Sequence, residues 1–172
     1  MQMNSKLKTP FLCFFEGLFI FLFFILQYNV SDILKIGNAF PPLLAILVFI
    51  CGFFFGEAHG LYVGLISGIL MDAVTVDSTC FYALLLMILG FFAGSIATHL
   101  LNNNFGAALT LGGTFTAIFF LAKWLFFYVF KGNGQGSVYL SSYALPSYIY
   151  SLILFVGMYF VFKFIKKKLT VK

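Results

Sequence analysis

Arginine is absent from the chain. It is the usual bidentate reader of phosphates and base edges, so its absence argues against a nucleic-acid partner. Charge of either sign is scarce: 9% of residues are charged, ten lysines against five acids. A soluble domain keeps about a quarter of its residues charged, so this chain cannot clothe a water-facing surface. Only three cysteines occur, Cys13, Cys51 and Cys80. They lie far apart and form no Cys-x-x-Cys pair, which argues against a disulfide framework or a metal site. Enzyme signatures are missing too. Gly64-Leu65-Ile66-Ser67-Gly68 has the wrong spacing for a nucleophile elbow. No phosphate loop or dinucleotide fingerprint occurs, and no nucleophile stands beside a base. The expectation is a protein without catalysis, cofactor or metal.

Apolar residues are what the chain has. They make up 62% of the 172 positions, with 26 phenylalanines, and the mean hydropathy is +1.06. A bilayer-spanning helix needs about 20 mostly apolar residues. Five or six spans would use roughly 100–120 residues, which leaves only tails and short loops. A separate soluble catalytic domain is excluded. The apolar runs are continuous rather than alternating, which argues against a membrane β-barrel. The expected fold is an all-α membrane protein, a polytopic bundle of about six transmembrane helices forming a single integral domain over residues 1–172. The spans fall at about 11–28, 39–55, 60–76, 80–101, 105–130 and 143–165. Pro41-Pro42 open the second span, where a first helical turn tolerates proline. Gly56-Glu57-Ala58-His59 reads as a tight link, and Lys131 to Ser137 as a flexible connector.

Lysine placement gives an orientation. Lys6, Lys8, Lys163, Lys166, Lys167, Lys168 and Lys172 gather near the two termini, while Lys35 and Lys131 fall on the other side of a six-span bundle. The positive-inside rule then puts both termini in the cytoplasm of a bacterial cell, around a multi-pass chain in the cytoplasmic membrane. The second and third segments are short, and a re-entrant pair is the alternative to two full spans. No small-x-small cleavage site follows the first run, so an uncleaved first span is expected.

Two groups of residues are candidates for function. Gly60, Gly64 and Gly68 recur every four residues and form one side-chain-free ridge on a helix. Gly90 and Gly94 repeat the device on the next segment. Such ridges let membrane helices approach closely, either within the bundle or against a partner's single span. Asp72 extends the first ridge by one more step of four. It lies about 12 residues into its helix, roughly 18 Å along, in the outer half of the bilayer. It caps the outer end toward headgroups, makes a buried polar contact, or serves an ion. Lys123 reaches a similar depth, and an Asp72–Lys123 pair is the expected partnership. Glu16 and Lys163 share the inner leaflet, where a pair between them is the alternative to the expected snorkelling of both. His59 and Glu57 on the tight turn, and His99, lack metal-ligand spacing and read as solvated turn residues.

The motif Gly64-Leu-Ile-Ser-Gly68-Ile-Leu-Met-Asp72, then Phe81 to Leu86, then Leu89-Gly90-Phe91-Phe92-Ala93-Gly94 resembles the bacterial rod shape-determining protein MreD family. Chain length, Pro41-Pro42 ahead of Leu43-Leu44 and the basic tail also fit. The motif-bearing part covers about 41–97, a third of the chain. Cys80 stands where the family usually has glycine, and the turn from His99 to Asn104 lacks its usual basic residues. The resemblance implies a non-enzymatic membrane scaffold of the cell-elongation machinery. It implies work in lateral peptidoglycan synthesis with an MreC-like single-span protein. Through that complex it implies contact with MreB, RodA and a class B penicillin-binding protein, all within membrane lipid. The competing class is the substrate-binding membrane subunit of an energy-coupling-factor vitamin transporter. Such subunits meet their coupling partner through small residues on the first span, and here only Gly17 stands among phenylalanines.

Overall fold

The computed structural model describes residues 9–29, 40–75, 80–99, 105–130 and 139–170. Among them the chain is helical throughout, without strands. Among the described residues six α-helices fall in order: α1 (Thr9–Asn29), α2 (Leu43–Phe55), α3 (Glu57–Val74), α4 (Phe81–His99), α5 (Phe105–Trp124) and α6 (Leu145–Thr170). The helix of α5 widens into π-type turns over Leu125–Phe130, and a second π segment, Leu140–Ala144, leads into α6. Three stretches are long and apolar enough to cross a membrane: Phe81–Thr98, Gly106–Phe130 and Ser142–Phe164.

The surface fits that composition. Phe130, Phe164, Ile153 and Phe21 are all more than 60% exposed. A large apolar surface of this kind is a liability in water and neutral in lipid. Hydroxyl groups on the helices turn inward to their own backbone. Thr98, Thr110, Thr114, Thr116 and Ser151 each donate to the carbonyl four residues earlier, as an apolar surround requires. Ser67 is an exception, with a buried hydroxyl that has no hydrogen-bond partner.

The short helix α2 is the axis. Every residue from Leu43 to Phe54 is buried, and α1, α3, α4, α5 and α6 all pack on it. A helix that is apolar all round belongs in the middle. At 13 residues it rises only about 20 Å, less than the roughly 30 Å hydrocarbon core. Phe49 reaches out to the rings of Phe115 on α5 and Phe155 on α6, with centroids 5.2 and 5.3 Å away. Phe19 on α1 meets Phe162 on α6 at 5.3 Å. The early half of α1 and the late half of α6 therefore share one end of the bundle.

Two local expectations are corrected. Pro41 and Pro42 lie before α2 rather than inside its first turn. The proposed four-residue link between the second and third segments is a single residue, Gly56, since Glu57 already begins α3. Gly56 adopts φ 100° and ψ 179°, a region open almost only to glycine. That one residue reverses the chain, and the Glu57 carboxylate favours the positive end of the new helix dipole.

Candidate functional site

The two glycine ridges face each other. α3 and α4 run antiparallel and meet along their backbones. A Cβ added at Gly60 would run into the Gly90 carbonyl, one at Gly64 into the Leu86 carbonyl, and one at Gly68 into the Cα of Ala83. At Gly94 it would strike the backbone of Glu57. Gly52 of α2, not marked by any ridge in the sequence, joins the same contact. Its added Cβ would lie 2.8 Å from the Gly90 carbonyl oxygen. All five predicted glycines are buried here. Docking a partner's span on them would require this seam to open.

Asp72 closes the seam at its far end. Its Oδ1 accepts the Tyr82 amide proton at 3.1 Å and its Oδ2 that of Ala83 at 2.8 Å. The first amides of a helix have no partner within it, and a carboxylate there also meets the favourable end of the dipole. Asp72 is thus the cap of α4, supplied by the preceding helix. Among the described residues no ion pair joins Asp72 to Lys123, which corrects the expected partnership. Both residues reach the same end of the bundle, but Asp72 is turned toward α4.

Helix α2 is capped in the same manner. Two prolines precede it, and no Ser, Thr, Asp or Asn stands at its start. The buried Gln27 of α1 accepts the Leu44 amide proton with Oε1 at 2.9 Å. The Phe40 amide donates to Ser147 Oγ of α6, also at 2.9 Å.

Lys123 lines a cavity of about 460 Å³ at this end of the bundle. The walls come from α1, the Phe40–Pro42 stretch before α2, α3, α4, α5 with its π turns, and Tyr139 ahead of the second π segment, and they are mainly aromatic. The Lys123 Nζ lies 6.0 Å from the Tyr139 ring centroid. Tyr139 in turn stacks on Tyr128 at 4.4 Å, closing the outer rim between the two π segments.

At the opposite end sits a pair absent from the sequence expectations. Glu16 of α1 is 4% exposed, and its two carboxylate oxygens lie 2.8 and 3.1 Å from Nδ1 of His59. His59 is therefore a partner of a buried acid rather than a solvated turn residue. Glu16 pairs with it and not with Lys163, whose Nζ lies over the Tyr159 ring at 5.9 Å. The His99 side chain lies outside the described residues. The sequence signal for the pair was Glu16 itself, an acid in a run of phenylalanines that needs company.

Compared with family models, with curated proteins and with solved structures, the chain matches none. The resemblance to the MreD family therefore rests on the residues that carry it.

Proposed function

We propose that this protein is an MreD-like scaffold of the bacterial cell-elongation machinery. It sits in the cytoplasmic membrane as a bundle of about six helices, with both termini inside and no catalysis of its own. It acts by holding an MreC-like single-span protein, and through it MreB, RodA and a class B penicillin-binding protein, where lateral peptidoglycan is made. One observation carries the reading. The residues behind the resemblance are not scattered: Gly64, Gly68 and Asp72 meet Ala83, Leu86 and Tyr82 in a single helix–helix seam that Gly90 and Gly94 continue. The pattern thus describes one rigid unit, which suits a scaffold whose task is to present fixed faces to other spans.

The test is recovery of the tagged protein from its native membrane in mild detergent, with partners identified by mass spectrometry. MreC together with RodA or its penicillin-binding partner is the expected result. Paired ATPases with a large coupling subunit would overturn the reading in favour of the vitamin-transporter class. A reporter fused at Gly134 is expected to read as external, and a cytoplasmic reading would overturn the orientation.

A further inference from the structure

We propose that the cavity beside Lys123 binds an amphipathic organic anion. Its carboxylate or phosphate sits at the Lys123 amine, and its apolar body lies among the phenyl rings of Phe119, Phe120 and Phe127. The inference goes beyond the scaffold reading and does not depend on it.

Three observations meet here. The first is size and character. About 460 Å³ of space is bounded mainly by aromatic rings, within the roughly 300–1,000 Å³ range of small-molecule sites. Such sites are largely apolar with a few polar groups that fix orientation.

The second is charge. Lys123 lines the cavity, and no acid among the described residues forms an ion pair with it. Glu16 and Glu57 stand at the other end of the bundle, on the early half of α1 and at the start of α3. The two oxygens of Asp72 take the amide protons of Tyr82 and Ala83. The Tyr139 ring, at 6.0 Å, is at the outer limit of a cation–π contact and does not replace a counter-ion. A cation among rings with no acid paired to it favours an anion that enters with its own apolar body.

The third is the rim. Tyr128 and Tyr139 also line the cavity, so its wall includes phenol groups, a kind of donor that can hydrogen-bond a carboxylate or phosphate oxygen. The Tyr128 wall belongs to the π segment Leu125–Phe130. Such wide turns recur at functional sites.

The anion can come from the bilayer, as a lipid headgroup, or from the water outside. Full-length protein in a neutral maltoside detergent separates these sources. One arm follows phosphatidylglycerol against phosphatidylcholine by native mass spectrometry. The other titrates 1-pyreneacetate against neutral 1-pyreneacetamide and reads energy transfer from Trp124, the chain's single tryptophan and the neighbour of Lys123. The expected result is at least a tenfold preference for the anion in one arm or both. That preference should be lost in Lys123→Met and Lys123→Gln and retained in Lys123→Arg. Preference in the lipid arm alone assigns the site to a headgroup, and in the pyrene arm alone to a soluble ligand. Equal binding of anion and neutral analogue by the wild-type protein in both arms would overturn the proposal without any variant. So would a preference that persists in both neutral variants. Partner recovery is not read in this experiment, so the scaffold reading and the cavity can fail separately.

Discussion

The two sides of the central helix α2 are held by opposite means. On one side α3 and α4 touch backbone to backbone, with Gly60, Gly64 and Gly68 each opposite a carbonyl or a Cα of α4. On the other side α5 and α6 are held off by rings. Gly112 of α5 faces the edge of the Phe155 ring, and Phe49 of α2 meets both Phe115 and Phe155. In lipid there is no water to drive apolar groups together, so association depends on how closely surfaces fit. Glycine against backbone leaves no gap and no freedom to adjust. Rings leave gaps that depend on how they tilt, and Phe119, Phe120 and Phe127 of the α5 helix and its π turns line a cavity of about 460 Å³ that α1, α3 and α4 help to wall. The tight side fixes geometry, and the ring-packed side leaves room.

The sharpest way to break this contrast is to add one methyl group on the tight side. Gly64→Ala puts a carbon against the Leu86 carbonyl, with the Cα of Met87 only 3.0 Å away. Neither is the end of a flexible chain, so the helices must separate. Overpacking of this kind costs about 3 kcal/mol. The expected outcome is a large drop in thermal unfolding temperature in detergent. Gly60→Ala, against the Gly90 carbonyl and the Gly52 Cα, is expected to match it. Near-wild-type stability for both would show that the seam is loose.

Next in size is the cap. Asp72→Ala leaves the Tyr82 and Ala83 amides of α4 without acceptors. Losing a capping side chain costs about 1–2 kcal/mol. Asp72→Asn keeps one acceptor oxygen and should cost about half as much. Lys123→Met separates the cap from the ion pair first expected of Asp72. If Asp72 acts as a cap, the loss in Asp72→Ala is the same with Lys123 or Met at position 123. A coupling above about 0.5 kcal/mol in that double-mutant cycle would restore the ion pair.

This also shows where the sequence was legible. The four-residue glycine step, and Asp72 at its next position, mark one face of α3, and the structure places α4 on that face. Depth along a helix was legible as well, since it follows from counting residues. Azimuth relative to other helices was not, so Asp72 and Lys123 at similar depth were paired although Asp72 points at α4. The central place of α2 was hidden for a different reason. Apolar character all round marks a core helix in water, but in this chain nearly every segment has it. The Gln27 cap and the Glu16–His59 pair join residues 17 and 43 positions apart, on helices whose adjacency no periodicity reports. A clue to the first did exist: Pro41-Pro42-Leu43-Leu44 offers α2 no local cap, so an acceptor had to come from elsewhere.

On the ring-packed side an added methyl should matter less. A Cβ at Gly112 would meet the Phe155 ring at 2.6–3.0 Å, and a ring edge can tilt where a carbonyl cannot. Gly112→Ala is expected to cost about 1 kcal/mol, with part recovered in Gly112→Ala/Phe155→Leu. Gly157, with nothing within 4 Å of the same added atom, should take alanine without loss. If Gly112→Ala were as damaging as Gly64→Ala, the two sides would not differ in the way the packing indicates.

The smallest effect sharpens the comparison at a turn. Two described residues have φ in the left-handed range, Gly56 at 100° and Cys80 at 55°. The first has the residue that such a conformation favours, and the second does not. Cys80 precedes α4 directly, and its carbonyl accepts the Leu84 amide proton at 3.2 Å, so its backbone is fixed by the helix it starts. Left-handed backbone in a residue with a side chain costs about 1 kcal/mol. Glycine would remove that strain but brings a more flexible unfolded chain, which offsets about half of it. Cys80→Gly should therefore stabilise by about 0.5 kcal/mol, a rise of a degree or so in unfolding temperature. The exposed thiol makes no competing contribution, and Cys80→Ala is the control. Alanine keeps the strain and removes only the sulfur, so a gain in Cys80→Ala equal to that in Cys80→Gly would assign the effect to the thiol rather than to the backbone.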